Sequence, residues 1–239
     1  MSEWFESWFG EEYVALYPHR DAAEAEHVVD LIMDHARIPA GCCALDLACG
    51  AGRHSKVLAE KWWTCGLDLS EVLLRIAHRE TTEAVFTRGD MRVLPFRTGA
   101  FQLVVNLFTS FGYFSDDASH MRVVKEVARV TSRGGTFVLD FLNTAHLRDT
   151  LVPYDERIIG ERVVEQRRTI SEDERYVIKR ICMRDTDKEY VERVRLFEAG
   201  DLTYMLKAAG FEVRHAFGNY DATPLSEESP RVILFGTRV

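Results

Sequence analysis

The sequence contains few of the residues that mark several classes of protein. Its 239 residues include five cysteines and six prolines, and no two cysteines form the C-x-x-C pair of a redox or zinc site. It lacks the roughly 18 consecutive apolar residues of a membrane span, and its acidic start lacks the basic region of a signal peptide. We therefore expect a cytoplasmic protein with reduced cysteines, no bound metal and no membrane contact.

Basic residues are fewer than acidic residues in this chain. The chain has 30 lysines and arginines against 38 aspartates and glutamates, a formal net charge of -8. Such a balance repels phosphate backbones unless a basic patch is segregated. The densest group of basic residues, between Arg157 and Arg195, is interleaved with acidic residues, so we interpret it as a solvated face and expect no nucleic-acid partner.

The sequence does contain an alternation of strand-like and helix-like segments. An apolar run at residues 42–47 leads through Gly50-Ala51-Gly52 into a helical pattern, and the same order then repeats along the chain. This rhythm predicts a parallel sheet that is covered on both faces. Within it, the sequence predicts a helix over Glu71–Glu80 with Ser70 as its N-cap, and a turn at residues 133–135 before a strand.

The pattern changes after Pro153, where polar turns separate runs rich in Val, Ile, Arg and Thr. These runs predict three antiparallel strands, after which the alternating pattern resumes. The predicted strands cover residues 157–170, 175–184 and 189–197.

The chain therefore divides into three predicted parts. Residues 1–20 form an aromatic N-terminal segment with more aromatic area than a solvated tail leaves exposed, so the segment should dock on the core or on a ligand. Residues 21–153 and 198–239 form the main domain. Residues 154–197 form an antiparallel β insertion.

Residues with binding chemistry follow three successive predicted strands. Gly50 and Gly52 allow a tight turn with close approach to a ligand. Asp68 ends the next strand, where a carboxylate can accept both hydroxyls of a ribose. Asp90 follows the third strand, next to backbone groups that can meet an adenine edge. Ser55 stands in the third position of G-x-G-x-x-G, which argues against a nicotinamide dinucleotide site.

Residues 44–114 resemble the class I S-adenosylmethionine-dependent methyltransferases. The resemblance rests on four ordered motifs, L-D-L-A-C-G-A-G-R, G-L-D-L-S, G-D-M-R-V-L-P-F and F-Q-L-V-V-N-L-F-T-S-F-G-Y-F. It implies an α/β fold, a doubly wound Rossmann-like sheet of seven strands with the last strand antiparallel. It also implies that S-adenosyl-L-methionine is the cofactor and S-adenosyl-L-homocysteine the product.

The resemblance assigns roles to individual residues. Backbone around the glycine loop should line the methionine end of the cofactor with an acid behind it, the second strand should meet the ribose and the third strand the adenine, and the fourth strand should lie under the methionine ammonium. We expect two residues of the N-terminal segment to bind the cofactor carboxylate. The glycine-loop residues are Ala48, Gly50 and Gly52, and the acid behind them is Asp46. Asp68 and Leu69 belong to the second strand end, Asp90 and Met91 to the third, and Leu107 and Phe108 to the fourth. Tyr17 and Arg20 are the two residues of the N-terminal segment.

An insertion after the fifth strand, together with an aromatic N-terminal segment, is similar to glycine, sarcosine and amino-sugar N-methyltransferases, in which such elements cover the pocket. The resemblance implies a small-molecule acceptor and a lid role for residues 154–197. Tyr113 and His146 are the candidate catalytic residues, with Tyr13 and His19 as further candidates for acceptor contact. The amino-sugar enzymes often have a histidine where Tyr113 stands, so we expect Tyr113 to orient the acceptor and not to remove a proton.

Two alternatives stay open. One is a nucleic-acid or protein methyltransferase of the same fold, although residues 106–109 read N-L-F-T and not N-P-P-Y or D-P-P-Y. The other is a nicotinamide-dependent enzyme or a non-catalytic nucleotide-binding Rossmann protein, because a fold alone does not determine function. The sequence also leaves open which acceptor atom is methylated and whether the chain forms a homodimer.

Overall fold

Two separate sheets organise the chain. The structure is a computed structural model that describes residues 3–17, 22–184 and 188–239. The helices of the described residues are α1 (Trp4–Trp8), α2 (Glu11–Leu16), α3 (Ala22–Ala36), α4 (Arg53–Ala59), α5 (Glu71–Glu80), α6 (Asp117–Val130), α7 (Thr144–Thr150) and α8 (Ala199–Ala208). The strands are β1 (Cys43–Leu47), β2 (Trp63–Asp68), β3 (Val85–Arg88), β4 (Phe101–Asn106), β5 (Thr131–Leu142), β6 (Tyr154–Ile159), β7 (Arg162–Ile170), β8 (Tyr176–Met183), β9 (Lys188–Arg195), β10 (Phe211–Phe217) and β11 (Arg231–Arg238).

The larger sheet has seven strands in the order β10-β11-β5-β4-β1-β2-β3. The five strands from β5 to β3 pair in parallel, and β11 lies antiparallel to both of its neighbours. The predicted fold class, a doubly wound α/β sheet of seven strands with the last one antiparallel, is confirmed.

Alternate residues of the sheet enter two different cores. Ala44 packs with side chains of α3 and α4, whereas Leu45 and Leu47 pack with side chains of α6 and α8. All three are essentially fully buried. This explains why β1 is apolar except at Asp46, since helices cover both faces of a parallel sheet.

Helix α5 begins and ends where the sequence predicts. The Ser70 hydroxyl accepts a hydrogen bond from the backbone N–H of Leu73 at 3.2 Å, which confirms Ser70 as the N-cap. The next element departs from the prediction. The turn at residues 133–135 lies inside β5, because Phe101 pairs with Thr131 while Leu103 pairs with Thr136. The glycines there form an irregularity within one longer strand.

The second sheet contains four antiparallel strands in the order β6-β7-β8-β9. The prediction of three strands is wrong, because the run 157–170 includes the end of one strand, β6, and the whole of the next, β7. Ile159 pairs with Arg162, so only two residues form the turn. Gly160 takes a φ of +61° there, a left-handed conformation that glycine adopts without a steric penalty and that two-residue hairpins require.

Residues 3–17, the described part of the N-terminal segment, dock on this second sheet. Trp8 and Leu16 are each 2% exposed, and they form a small core with Val164, Ile181 and Met183. The indole N–H of Trp8 donates to a carboxylate oxygen of Glu192 in β9 at 2.8 Å. The aromatic residues of the segment are therefore held between the two sheets. In the ranges described above, no helix has the length and apolar character to cross a membrane.

Trp8 is the residue whose loss should detach the segment. Trp8→Ala removes a buried side chain, a change that typically lowers the free energy of unfolding by about 3 to 5 kcal/mol. Helices α1 and α2, which depend on this side chain, lie at one end of the described chain. We expect limited proteolysis under native conditions, read by mass spectrometry, to cleave within residues 3–17 much faster in the variant. Trp63→Ala, at a site 75% exposed, is the matched control and should leave the cleavage pattern unchanged. Equal cleavage rates in Trp8→Ala and wild type would contradict this role.

Candidate active site

A cavity of about 770 Å³ opens at the carboxyl ends of β1 to β4, within the usual size range of small-molecule sites. Loops after these strands form its floor, and the N-terminal segment forms its roof. The structure brings most of the predicted site residues to this cavity. They are Tyr17, Ala48, Gly50, Asp68, Leu69, Asp90, Met91, Leu107, Phe108 and Tyr113.

Other predicted site residues are not among those lining the cavity. Asp46 is buried within β1, and Gly52 lies just before α4 with a φ of +85°. His146 lies in α7, and the structure does not bring it to the cavity wall, so nothing there supports a catalytic role for it. Arg20 and His19 lie outside the described residues.

The loop after β1 is shaped by left-handed backbone. Gly50 has a φ of +56°, and Ala48, which is not a glycine, has a φ of +59°. A left-handed alanine is strained and persists only where the surroundings enforce it. The backbone N–H of Cys49 donates to the carbonyl of Leu67 at 3.0 Å, which ties this loop to the end of β2.

Asp68 joins that loop to α5. Its carboxylate accepts the backbone N–H of Gly50 and that of Ser70, each at 2.8 Å. Burial raises the pKa of Asp68, and the bonds from Ser70 and Gly50 oppose this rise. Each carboxylate oxygen retains a further lone pair, so Asp68 can still accept hydroxyl groups from a ligand in the cavity.

Asp46 supports the loop from behind. It is 1% exposed, and the Ser55 hydroxyl of α4 donates to it at 2.6 Å. Burial raises the pKa of Asp46 to about 6, against the lowering effect of the Ser55 bond and with a further contribution from the charge of Asp68. Asp46 therefore fixes α4 relative to β1 and does not line the cavity.

Asp90 shapes the loop after β3. The Arg92 side chain donates to both carboxylate oxygens. Nη2 and Nε lie 2.6 Å and 2.9 Å from Oδ2, and Nε also lies 3.0 Å from Oδ1. Burial acts to raise the pKa of Asp90, but the bonds from Arg92 outweigh it and hold the pKa below its usual value. The Arg92 guanidinium also lies 4.6 Å from the Phe114 ring centroid, so this loop is anchored to the one after β4.

The loop after β4 rests on a buried network that the sequence analysis missed. Phe108 and Thr109 both have left-handed backbone, with φ of 56° and 61°. Asp140, fully buried in β5, accepts the N–H of Phe108 at 2.8 Å, the Tyr220 hydroxyl at 2.8 Å and Arg231 Nε at 2.5 Å. Burial raises the pKa of Tyr220, and the charge of Asp140 adds to this rise. The sequence does contain one signal for this network, since Asp140 is a charged residue inside the apolar run F-V-L-D-F-L.

Tyr113 meets the roof of the cavity. Its ring stacks on Phe9 at a centroid distance of 5.7 Å and lies edge-on to Trp4 at 5.0 Å. Trp4 Nε1 also donates to the Tyr113 carbonyl at 3.3 Å. The tyrosine is thus positioned where the floor and the roof of the cavity come together.

The Tyr17 hydroxyl contacts the second sheet. It donates to a carboxylate oxygen of Glu192 at 3.0 Å and accepts from Lys179 Nζ at 2.5 Å. Tyr17 also lines the cavity. The expected bond between Tyr17 and the cofactor carboxylate stays a prediction.

The roof consists of residues from Phe5 to Tyr17 of the N-terminal segment. Phe5, Phe9 and Tyr13 line the cavity, and the Ser70 hydroxyl donates to the Phe9 carbonyl at 2.5 Å. Among the described residues, none from β6 to β9 lines the cavity. The second sheet thus contacts the roof from behind, and its role as a substrate lid stays a prediction. Within the described ranges, no three His, Cys, Asp or Glu side chains are grouped to hold a metal ion.

Known proteins share this sequence pattern. Residues 44–135 match the family model of a methyltransferase domain. The chain is 36% identical over 121 residues to dTDP-3-amino-3,4,6-trideoxy-alpha-D-glucopyranose N,N-dimethyltransferase of Streptomyces venezuelae, covering 50% of this chain and 49% of the relative. It therefore spans about half the length of that relative. A putative methyltransferase of Bacillus subtilis, YqeM, is 27% identical over 216 residues, with 83% of this chain and 85% of that protein covered.

Solved structures share the fold over nearly the whole chain. The sugar N-methyltransferase KedS8 from a Streptoalloteichus species is 27% identical, with a TM-score of 0.74 and coverage of 96% of this chain and 93% of that chain. The methyltransferase CcbJ of Streptomyces caelestis has a TM-score of 0.83 at 15% identity, with 98% and 99% covered. At that identity the second likeness concerns the fold alone.

Asp46 makes the stability of the site depend on pH. Its pKa is about 6 when folded and about 3.9 when unfolded. The folded state thus binds the proton more tightly, and stability falls as pH rises from about 4 to about 6. Asp46→Asn removes this titration. We measure the free energy of unfolding of both proteins by urea denaturation. The value for wild type minus the value for the variant should fall by about 2 to 3 kcal/mol between about pH 4 and pH 7. A difference that does not change with pH would contradict the assignment.

Proposed function

We propose that this chain, which carries a class I methyltransferase domain, transfers the methyl group of S-adenosyl-L-methionine to a nitrogen or oxygen of a small-molecule acceptor. The observation that carries the proposal is the convergence of three strand ends on one cavity. The left-handed loop at Gly50, the carboxylate of Asp68 and the loop at Asp90 and Met91 follow β1, β2 and β3 and line that cavity together.

The residues present fit this cofactor. Asp68 offers acceptor lone pairs at the end of β2, where a ribose would lie. Leu69 and Met91 provide apolar surface against which the adenine ring would pack. The roof residue Phe9 covers the cavity from the opposite side. These groups would hold the adenosyl part, while the loops at Gly50 and Phe108 would meet the methionine part.

When bound, S-adenosyl-L-methionine supplies a methyl group that its positive sulfur already activates. The chain then has two tasks, to exclude water and to orient the acceptor. Phe5, Phe9 and Tyr13 form an apolar cover over the cavity, which favours a reaction in which the charge on sulfur disappears. Tyr113 lies at the edge of this cover and is placed to orient the acceptor. An ordinary phenol, with a pKa near 10, is too weak a base to serve as the proton acceptor at neutral pH.

A nitrogen acceptor receives the strongest support. Three of the similar proteins are named as N,N-dimethyltransferases of dTDP-amino-sugars. A nucleic-acid acceptor is the second candidate, since a probable tRNA methyltransferase 9B of Bos taurus is 28% identical over 131 residues. The net charge of -8 and the close aromatic roof favour the small amine.

The cofactor assignment is tested by removing the Asp68 carboxylate. Asp68→Ala deprives the ribose hydroxyls of a buried charged acceptor, a loss of about 1.5 to 3 kcal/mol, or tenfold and more in affinity. We expect calorimetry with S-adenosylhomocysteine to show this loss. Asp173→Ala is the matched control, because Asp173 also accepts two hydrogen bonds but lies in the exposed turn between β7 and β8. Wild-type affinity in Asp68→Ala would refute the ribose assignment.

The acceptor role of Tyr113 is tested kinetically. A screen of amino-sugars and small amines for transfer of a labelled methyl group first identifies a substrate. Tyr113→Phe should then lower kcat/KM by about 10-fold to 100-fold, because the hydroxyl no longer orients the acceptor. Its affinity for S-adenosylhomocysteine should not change. Kinetics equal to wild type would leave Tyr113 as a packing residue of the cavity wall.

A further inference from the structure

The turn after β4, formed by Phe108 and Thr109, has a backbone conformation that its side chains disfavour. Both residues are left-handed, with φ of 56° and 61°. That conformation is uncommon for any residue other than glycine and is a true outlier for a bulky or β-branched one. Phe108 lines the cavity, together with its neighbours Leu107 and Ser110. Strained backbone of this kind persists only where the surroundings enforce it, and it is concentrated at functional sites.

One buried residue holds both positions of the turn. The carboxylate of Asp140 accepts the backbone N–H of Phe108 at 2.8 Å, and the backbone carbonyl of Asp140 accepts that of Thr109 at 3.0 Å. Asp140 lies in β5, the neighbour of β4 in the sheet, and is fully buried. The conformation of the turn therefore depends on where Asp140 lies and on how its carboxylate is oriented.

Tyr220 and Arg231 orient that carboxylate. The Tyr220 hydroxyl donates to Oδ2 at 2.8 Å, and Arg231 Nε donates to Oδ1 at 2.5 Å. Arg231 also donates through Nη2 to the Thr109 hydroxyl at 3.1 Å, and its central carbon lies 5.4 Å from the centroid of the Phe108 ring. Tyr220 lies between β10 and β11, and Arg231 begins β11. Neither of these two residues is among those that line the cavity.

We propose that Tyr220 and Arg231 are positioning residues of the active site. Through Asp140 they hold the turn after β4 in its left-handed form, so that this wall of the cavity is in place before the cofactor binds. A wall that does not have to be ordered on binding lowers the entropic cost of binding. The inference rests on the proposed function. It extends the active site to residues 218–230, which do not themselves line the cavity.

Removal of one hydroxyl group tests the proposal. Tyr220→Phe keeps the ring and deletes the bond to Asp140, so that the carboxylate can turn and the wall loses support. In calorimetry with S-adenosylhomocysteine, we expect the affinity to fall about 3-fold to 10-fold, an effect of the size that residues without ligand contact can have. Arg231→Lys keeps the charge but loses the fork of the guanidinium. It is the second variant and should also lose affinity.

Ser229→Ala is the matched control. Ser229 lies in the same loop as Tyr220 and is 7% exposed, and its hydroxyl accepts the backbone N–H of Ser226 at 2.9 Å. We expect the affinity of this variant to stay within about 2-fold of wild type. Urea denaturation of both variants measures the stability that each one loses. A loss of affinity confined to Tyr220→Phe therefore separates positioning from a general weakening of the loop.

Thr109→Gly tests whether the effect of Tyr220 passes through the turn. Thr109 is not among the residues that line the cavity, and glycine takes a positive φ without a steric penalty. The turn then needs less support from Asp140. When Tyr220→Phe is added to Thr109→Gly, we expect the further loss of affinity to be smaller than about 2-fold.

Three results would overturn the positioning role. The first is wild-type affinity in Tyr220→Phe, and the second is an equal loss in Tyr220→Phe and Ser229→Ala. The third is a loss caused by Tyr220→Phe that is the same with and without Thr109→Gly. If the wild-type chain does not bind S-adenosylhomocysteine, the proposed function itself is wrong and the positioning role falls with it.

Discussion

The buried carboxylate of Asp68 joins the parts of the molecule on which the cavity depends. By accepting the N–H groups of Gly50 and Ser70, it connects the loop after β1 to the start of α5 at the end of β2. A buried carboxylate is unfavourable unless hydrogen bonds compensate it, and these two backbone bonds provide that compensation. The loop thus keeps its left-handed form, with Ala48 and Gly50 both at positive φ, and both residues line the cavity.

The roof of the cavity depends on a second set of contacts, which link it to the smaller sheet. Trp8 and Tyr17 both donate to Glu192 in β9, while Phe9 stacks on Tyr113 of the main domain. The N-terminal segment therefore makes contacts with both sheets, and its aromatic side chains close the site.

Much of the fold could be predicted from local patterns, and the exceptions have physical reasons. Helix α5 begins and ends as predicted, because the Ser70 cap marks its start. The start of β5 was predicted too late in the chain. Gly134 and Gly135 resemble a turn in sequence, although they form an irregularity inside the strand. Most of the site residues that were predicted from the sequence line the cavity. The motifs could not predict the network of Asp140, Tyr220 and Arg231, since Arg231 lies 91 residues from Asp140 in sequence and the partners meet only when β11 pairs with β5.

The central claim is that the cavity at the ends of β1 to β4 binds S-adenosylmethionine and not a nicotinamide dinucleotide. Calorimetric titration of the wild-type chain with S-adenosylhomocysteine and, separately, with NAD tests this claim most directly. We expect saturable binding of S-adenosylhomocysteine with a Kd on the order of micromolar, about -8 kcal/mol, and no measurable binding of NAD. Binding of NAD with equal or higher affinity, or no binding of S-adenosylhomocysteine at millimolar concentration, would contradict the account.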